Sequence, residues 1–186
     1  QQIAIDGVLM LPPTAWTYQD SKLLPEWDAE RFPDPKQILE LFGKHAAHLC
    51  LQTLPAALAD STTFAELEDR GWLLANESGD AHVFPGVPAT GNQPFGLLDL
   101  THRDVLNAWS ERHRHLMDEG VGATACDVQF DIPDSVVARG GESGAVLRSI
   151  YPALARRALF EAAAGQKVPP EGIVFSSDLF VGAQRL

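Results

Sequence analysis

Apolar positions along the chain fall into short runs separated by stretches of helical period. Ile3 to Leu11 is a strand-like run, stopped by Pro12-Pro13. His48 to Leu54 is a second, closed by Pro55; Ala123 to Gln129 is a third, and Ile173 to Ser177 the last. Short apolar runs bounded by Pro and Gly read as buried strands. Between them, Pro35 to Phe42 places Ile38, Leu39, Leu41 and Phe42 on a helical period, with Asp34 as the expected N-cap, Pro35 as first residue and Gly43 as the stop. Phe64 to Asp69 predicts a short helix ended by Gly71. Arg103 to Glu119 carries Val105, Leu106, Trp109, His113, Leu116 and Met117 on one broad face and ends at Gly120. Val146 to Ala164 is the last helix, stopped by Gly165. Ala75 to Gly96, rich in Gly, Pro, Asn and Asp, is expected to be a long excursion with little regular structure, and Asp131 to Gly144 a second loop.

The predicted order is β-α-β-α-α-β-α-β. Such alternation implies parallel strands joined by right-handed helical crossovers. Four strands cannot close a barrel of eight, which needs ~200 residues or more, and this chain has 186. The expected fold class is therefore α/β: an open parallel sheet or part of a (β/α)8 TIM barrel. At 45% hydrophobic residues the chain can bury one sizeable core, so residues 1–186 are expected to form a single domain.

Charge and cysteine usage narrow the partners. A net charge of -11 repels phosphate backbones and argues against nucleic acid. Cys50 and Cys126 each lie in a predicted strand, where two buried free thiols are expected rather than a bridge. No apolar run approaches the ~18 residues of a membrane span. No signal peptide is visible, so a cytoplasmic protein is the expectation. The chain begins two residues before a strand, which leaves open a targeting segment upstream.

One carboxylate stands out. Gly120 and Gly122 bound a turn into the third strand, which delivers Asp127 to its C-terminal part. In α/β barrels chemistry sits at the C-terminal tips of strands. Asp127 is thus a candidate catalytic group; the competing reading is a strand-end acid capping a backbone amide. Asp131 and Asp134 follow it; Asp131 reads as a replacement polar contact or as a solvated loop acid. Trp16, just after Pro12-Pro13 at the tip of the first strand, is a candidate platform for a sugar ring, with core packing as the alternative, and Trp72 is weighed the same way. Trp109, on an apolar helix face, reads as core. The histidines form no metal set: His113 and His115 point to different helix faces. No Gly-x-Ser-x-Gly elbow supports a serine nucleophile. Gly140 to Gly144 lacks the Lys-Ser/Thr ending of a phosphate loop.

Three stretches resemble glycoside hydrolase family 31, the α-glucosidase and α-xylosidase family. Glu26-Trp27-Asp28-Ala29-Glu30-Arg31-Phe32-Pro33-Asp34-Pro35 is similar to its "aromatic-Asp, two residues, Arg-Phe-Pro-Asp-Pro" segment. Leu98-Asp99-Leu100-Thr101, then Trp109, then Gly120 to Asp127, resemble its "Asp-Phe-Thr-Asn-Pro … Trp-Trp … Gly-Val-Asp-Gly-Phe-Lys-x-Asp". Ile150-Tyr151-Pro152 and Gly182-Ala183-Gln184-Arg185 resemble "His-Asn-Leu-Tyr-Pro" and "Gly-Ser-Gln-Arg". The resemblance implies about four strands of a (β/α)8 catalytic barrel. It implies that Asp127 is the nucleophile of a retaining glycosidase, with the acid/base on a later strand outside this chain. It implies no cofactor and a carbohydrate substrate. Exposed parallel sheet edges would be an association hazard, so a second copy or the remainder of a longer protein is expected against them. Asp99 matches a position read as structural, a helix cap or a partner of Thr101.

The departures bear on sugar binding. Of the family's two aspartates on the first strand, the first is Asp6, a candidate substrate-binding residue, and the second falls at Leu11. The lysine before the nucleophile is Ala125, the glutamate after it is Phe130, and the His-Asn pair is Arg148-Ser149. The sugar-binding arginine falls at Ser177, next to Asp178, which with Trp16 and Asp131 completes the candidate set. Losing several hydroxyl partners at once motivates an alternative: a degenerate barrel that binds carbohydrate without turnover, or serves as a structural domain. A neighbouring α-galactosidase-type family shares a Lys-x-Asp strand, but the Arg-Phe-Pro-Asp-Pro segment argues against it.

Overall fold

The computed structural model of the protein describes residues 7–16, 26–45, 47–126, 131–165 and 173–175. Its elements run β1 (Gly7–Leu11), α1 (Pro13–Trp16), α2 (Pro35–Lys44), β2 (Ala47–Thr53), β3 (Ala56–Leu58), α3 (Thr62–Asp69), β4 (Ala75–Asn76), a 3-10 turn at Pro88–Thr90, β5 (Phe95–Leu97), α4 (Arg103–Asp118), β6 (Ala123–Cys126), β7 (Val136–Val137), α5 (Gly144–Ala164) and β8 (Ile173–Phe175). No helix among the described residues is long and apolar enough to cross a membrane.

Four strands form one parallel sheet in the order β1-β2-β6-β8. A doubly wound sheet reverses its strand order at a switch point. Here the order never reverses, and each parallel strand lies beside its successor. That is the arrangement of a segment of a β/α barrel.

Register assigns the two faces. Leu51 pairs with Thr124 and Thr53 with Cys126, while Cys50 pairs with Ala123 and Gln52 with Ala125. Leu49 and Leu51 pack with Trp16, Leu39 of α2, Leu116 of α4 and Val121, so their face is the outer, helix-covered one. Cys50, Ala123 and Ala125 cluster on the opposite, inner face. Both cysteines are free and buried, one on each face.

Several boundaries move for local reasons. The apolar period of α3 begins at Phe64, but the helix begins two residues earlier because Ser61 Oγ accepts the Phe64 N–H at 3.0 Å. α5 likewise starts at Gly144 rather than Val146. Asp34 sits at the N-cap of α2, yet its carboxylate accepts from Gln37 Nε2 at 3.1 Å and makes no capping bond. Gly43 lies inside α2, which ends one residue later at Lys44.

The larger correction is Ala75 to Gly96, which is neither irregular nor peripheral. β4 pairs with β7, β3 pairs with β5, and Phe84 bridges to Phe95 with the two rings stacked at 5.5 Å. Leu73, Leu74, Phe84, Phe95 and Leu97 are all buried, in one core with Trp109 of α4 and Leu147, Tyr151 and Leu159 of α5. Each such side chain contributes about 1.5–3 kcal/mol on burial. Glycine and proline made this stretch look like loop, but they mark tight turns between short paired strands. β7 shows the same for Asp131 to Gly144.

α5 enters this packing at Gly144. A Cβ there would collide with the Pro133 carbonyl, a backbone group that cannot swing away. Gly144→Ala is expected to destabilise the protein by about 2 kcal/mol or more, read as a lower urea midpoint at unchanged slope.

Candidate functional site

β1, β2 and β6 run in the same direction, so Leu11, Thr53 and Cys126 are the ends of their C-terminal edge. Loops that follow such edges build the sites of α/β barrels. Among the described residues several of these segments are tied to one another.

Asp99 makes the central tie. It is fully buried. Its Oδ1 accepts from the Thr101 N–H at 3.1 Å and the Thr101 hydroxyl at 2.6 Å, which makes it the partner of Thr101 that the sequence suggested. Its Oδ2 accepts the Arg139 N–H at 2.7 Å, a contact between the segment after β5 and the one after β6. A buried carboxylate with three donors is satisfied rather than reactive. Tyr151 of α5 adds a second tie, donating its hydroxyl to the Leu98 carbonyl at 2.7 Å. Burial first, then the nearby Cys126 and Asp99, raises its pKa well above the usual phenol value, so it stays a donor.

Arg148 makes the third. Its guanidinium donates to the Ile132 carbonyl and to Asp134 Oδ1 at 2.5 Å, and its Nε lies 3.8 Å from Asp131. One arginine on α5 therefore contacts Asp131, Ile132 and Asp134 of the segment between β6 and β7. Asp131 is 82% exposed in side chain, and this pairing is what the structure gives it.

A buried polar chain runs beneath the tip of β6. His113 of α4 has no exposed surface. Its Nδ1 lies 2.7 Å from the Trp109 carbonyl, and its Nε2 lies 3.0 Å from the Thr53 hydroxyl. Thr53 Oγ1 in turn lies 3.3 Å from the Ala125 carbonyl. Desolvation by burial lowers the His113 pKa to about 4, against a smaller opposing effect of the Trp109 hydrogen bond.

The site residues expected from sequence divide in two. Asp127, Asp6 and Asp178 lie outside the described residues. Trp16 is corrected from a platform to a core residue: it is 0% exposed, donates its indole N–H to the Gln52 carbonyl at 2.8 Å, and meets the Trp27 ring at 5.5 Å. A buried indole has no free face for a sugar. Trp72 is half-buried and carries the Arg70 guanidinium over its ring at 5.4 Å. The Trp27 to Pro35 motif is a self-satisfied turn: Asp28 Oδ1 accepts from the N–H groups of Glu30 and Arg31 at 3.0 and 3.2 Å, and Arg31 reaches the Thr14 carbonyl at 2.8 Å.

Sequence reasoning missed His113, Thr53 and the clamp at Arg148. The signal for His113 was present. A histidine four residues after Trp109 on an apolar face must find two partners when buried. A cavity of about 320 Å³ lies apart, between α3, β4 and β7, and its polar walls are partly engaged: Glu68 accepts from the Ala81 N–H and Asn76 Oδ1 meets His82 Nδ1.

Fold and site geometry together define a segment of a (β/α)8 barrel. The sequence profile of the glycosyl hydrolases family 31 TIM-barrel domain matches residues 8–186. The chain belongs to glycosyl hydrolase family 31. It is 28% identical over 152 residues to the α-xylosidase XylQ of Lactiplantibacillus pentosus, a match covering 81% of this chain and 19% of that protein. Among solved structures it is similar to the Flavobacterium johnsoniae dextranase FjDex31A, with a TM-score of 0.75, 14% identity, 96% of this chain and 22% of that one covered. It is also similar to the E. rectale sulfoquinovosidase, with a TM-score of 0.73, 16% identity, and coverage of 86% and 24%. The chain thus spans about a fifth to a quarter of the length of these relatives.

His113 makes stability depend on pH. Above its unfolded pKa of 6.5 the ring is neutral in both states and contributes nothing. Between 6.5 and about 4 the unfolded chain binds a proton that the folded protein refuses, so stability falls as pH falls. The loss approaches about 3 kcal/mol below pH 4. Urea unfolding at pH 7 and pH 4.5 is expected to show this slope, and His113→Gln to flatten it.

Proposed function

We propose that this chain is the nucleophile-bearing part of the catalytic barrel of a retaining, α-glucosidase-like glycoside hydrolase that cleaves terminal α-linked sugars. The observation that supports it best is the alternation of β6. Ala123 and Ala125 occupy the inner face, so the next position of that parity is 127, one residue past the described end of the strand. A carboxylate there would enter the barrel mouth at a strand tip, where such barrels do chemistry.

In this reading an Asp127 oxygen bonds to the anomeric carbon as the bond to the leaving oxygen breaks. A second carboxyl, about 5–5.5 Å away, gives its proton to that oxygen. Water then attacks the same carbon, returns a proton to the second carboxyl and frees Asp127. The second carboxyl is assigned to no residue of this chain. Asp6 and Asp178 would hold sugar hydroxyls. Asp131, paired with Arg148, would act on the loop rather than on the sugar. The half-exposed Val8, Leu9 and Met10 on the open edge of β1 support a covering partner, either further polypeptide of the same protein or a second copy.

A competing reading is a barrel that binds carbohydrate without turnover. Two observations favour it: Trp16 offers no platform, and Arg148 stands where the resemblance expects histidine. Calorimetry of the complete protein with α-glucosides and α-xylosides separates the readings, since binding without hydrolysis supports the second. In the first, Asp127→Asn is expected to lower turnover of an aryl α-glucoside or α-xyloside by at least about a thousandfold. Unchanged turnover would remove Asp127 from the mechanism.

A further inference from the structure

Opposite charges line the cavity of about 320 Å³ between α3, β4 and β7 without pairing across it. Arg139, Glu68 and Glu77 all contribute to its wall. Among the described residues, the Arg139 guanidinium and the Glu77 carboxylate make no ion pair or hydrogen bond. Groups of opposite sign around one small space attract each other, and they stay apart only where their anchors hold them.

The anchors are fixed by other contacts. The Arg139 N–H is bound by the buried Asp99 at 2.7 Å, and its guanidinium lies against Gly71, 3.6 Å from where a Cβ would stand. Glu68 Oε1 accepts the Ala81 N–H at 3.2 Å, leaving Oε2 as an acceptor. Glu77 rides on a closed turn, in which the Asn76 N–H donates to the Asp80 carbonyl at 2.8 Å and the Gly79 N–H to the Asn76 carbonyl at 2.9 Å. Ala75 pairs with Val137 and bridges to Ala81, so three wall residues share one strand frame. The walls are thus built before any ligand arrives, as in most small-molecule sites.

The polar groups left over specify the ligand. The carboxylates of Glu68 and Glu77 can only accept, and the Arg139 guanidinium can only donate. Asn76 Oδ1 is engaged by His82 Nδ1 at 2.6 Å, which leaves the Asn76 amide N–H groups as further donors. Leu73, Ala75, Ala81, Val137 and Ala138 supply an apolar wall. An inorganic anion would meet two carboxylates, and a metal ion would meet a guanidinium. A hydroxyl both donates and accepts. A ring bearing several hydroxyls therefore satisfies both kinds of group, while its C–H face covers the apolar wall.

We propose that this cavity is an accessory carbohydrate site for one neutral glycosyl unit, with Arg139 donating to its hydroxyls and Glu68 and Glu77 accepting from them. The unit is a free sugar or an outer residue of an oligosaccharide. The site lies apart from Asp127 and stands whether or not Asp127 is a nucleophile.

The test is hydrogen exchange of the complete protein with methyl α-glucoside, methyl α-xyloside and isomaltotriose. Slowed exchange is expected across residues 75–82 and 136–140, half-saturating at about 1–10 mM sugar. Arg139→Ala and Glu77→Ala are each expected to raise that concentration at least about tenfold. Their thermal midpoints should stay unchanged, because both side chains are exposed and unpaired. Protection by the methyl glycosides marks a free-sugar site, and protection by isomaltotriose alone marks a site for an outer unit; either supports the proposal. Absence of protection with all three sugars overturns it, as does protection by inorganic phosphate instead. Protection that survives both substitutions reports binding elsewhere and overturns it too. Asp127→Asn, which tests the nucleophile reading separately, is expected to leave the protection in place; its loss in that variant would move the bound sugar to Asp127 and overturn the proposal.

Discussion

The parallel pairing of β2 with β6 is the constraint on which the other features depend. Side chains alternate with period two, so a single register decides which residues meet the helices and which face inward. With Cys50 opposite Ala123 and Thr53 opposite Cys126, the bulky Leu49 and Leu51 go to α2 and α4, and the small side chains go inside. A slip of one residue would press Gln52 against the helices and turn Leu51 inward. The same register brings Thr53 within reach of His113 and of the Ala125 carbonyl.

Around that pairing, the loops are held by polar groups that have little freedom left. Asp99 accepts from Thr101 and Arg139, Tyr151 donates to Leu98, and Arg148 holds Ile132 and Asp134. Each joins segments far apart in the chain. Buried polar groups tolerate few alternative arrangements, because an unpaired one costs on the order of 1–3 kcal/mol. Residues 131–137 of the segment after β6 are held by α5 on one side and by the β4–β7 pair on the other. The residues that resemble the family in this region act as scaffold: Asp28 closes its own turn and Asp99 locks two loops.

Much of the architecture was legible along the chain. The four parallel strands, the long helices α4 and α5, and the two free cysteines follow from apolar runs, helical period and turn residues. Asp99 was legible as a structural acid through the family position it resembles, with a helix cap or Thr101 as its expected partner. The short strands β3, β4, β5 and β7 were not. Strands of two or three residues show no measurable period, and their glycines and prolines outweigh the buried Phe84 and Phe95 when read locally. For Trp16 the sequence left platform and core packing open, because proximity to a strand tip says nothing about which way the indole turns; its burial decides for the core.

What the sequence alone determined is the order of the four parallel strands and of the helices α2, α3, α4 and α5, their parallel sense and the family, because periodicity and ordered motifs are properties of neighbouring residues. Tertiary structure decided the rest: the face that each strand residue takes, the burial of Trp16, and the partners of His113, Thr53 and Arg148. Those depend on contacts between residues such as 53 and 113, or 99 and 139, whose meeting no local pattern encodes. They form only once the sheet has chosen its register and the helices have packed upon it.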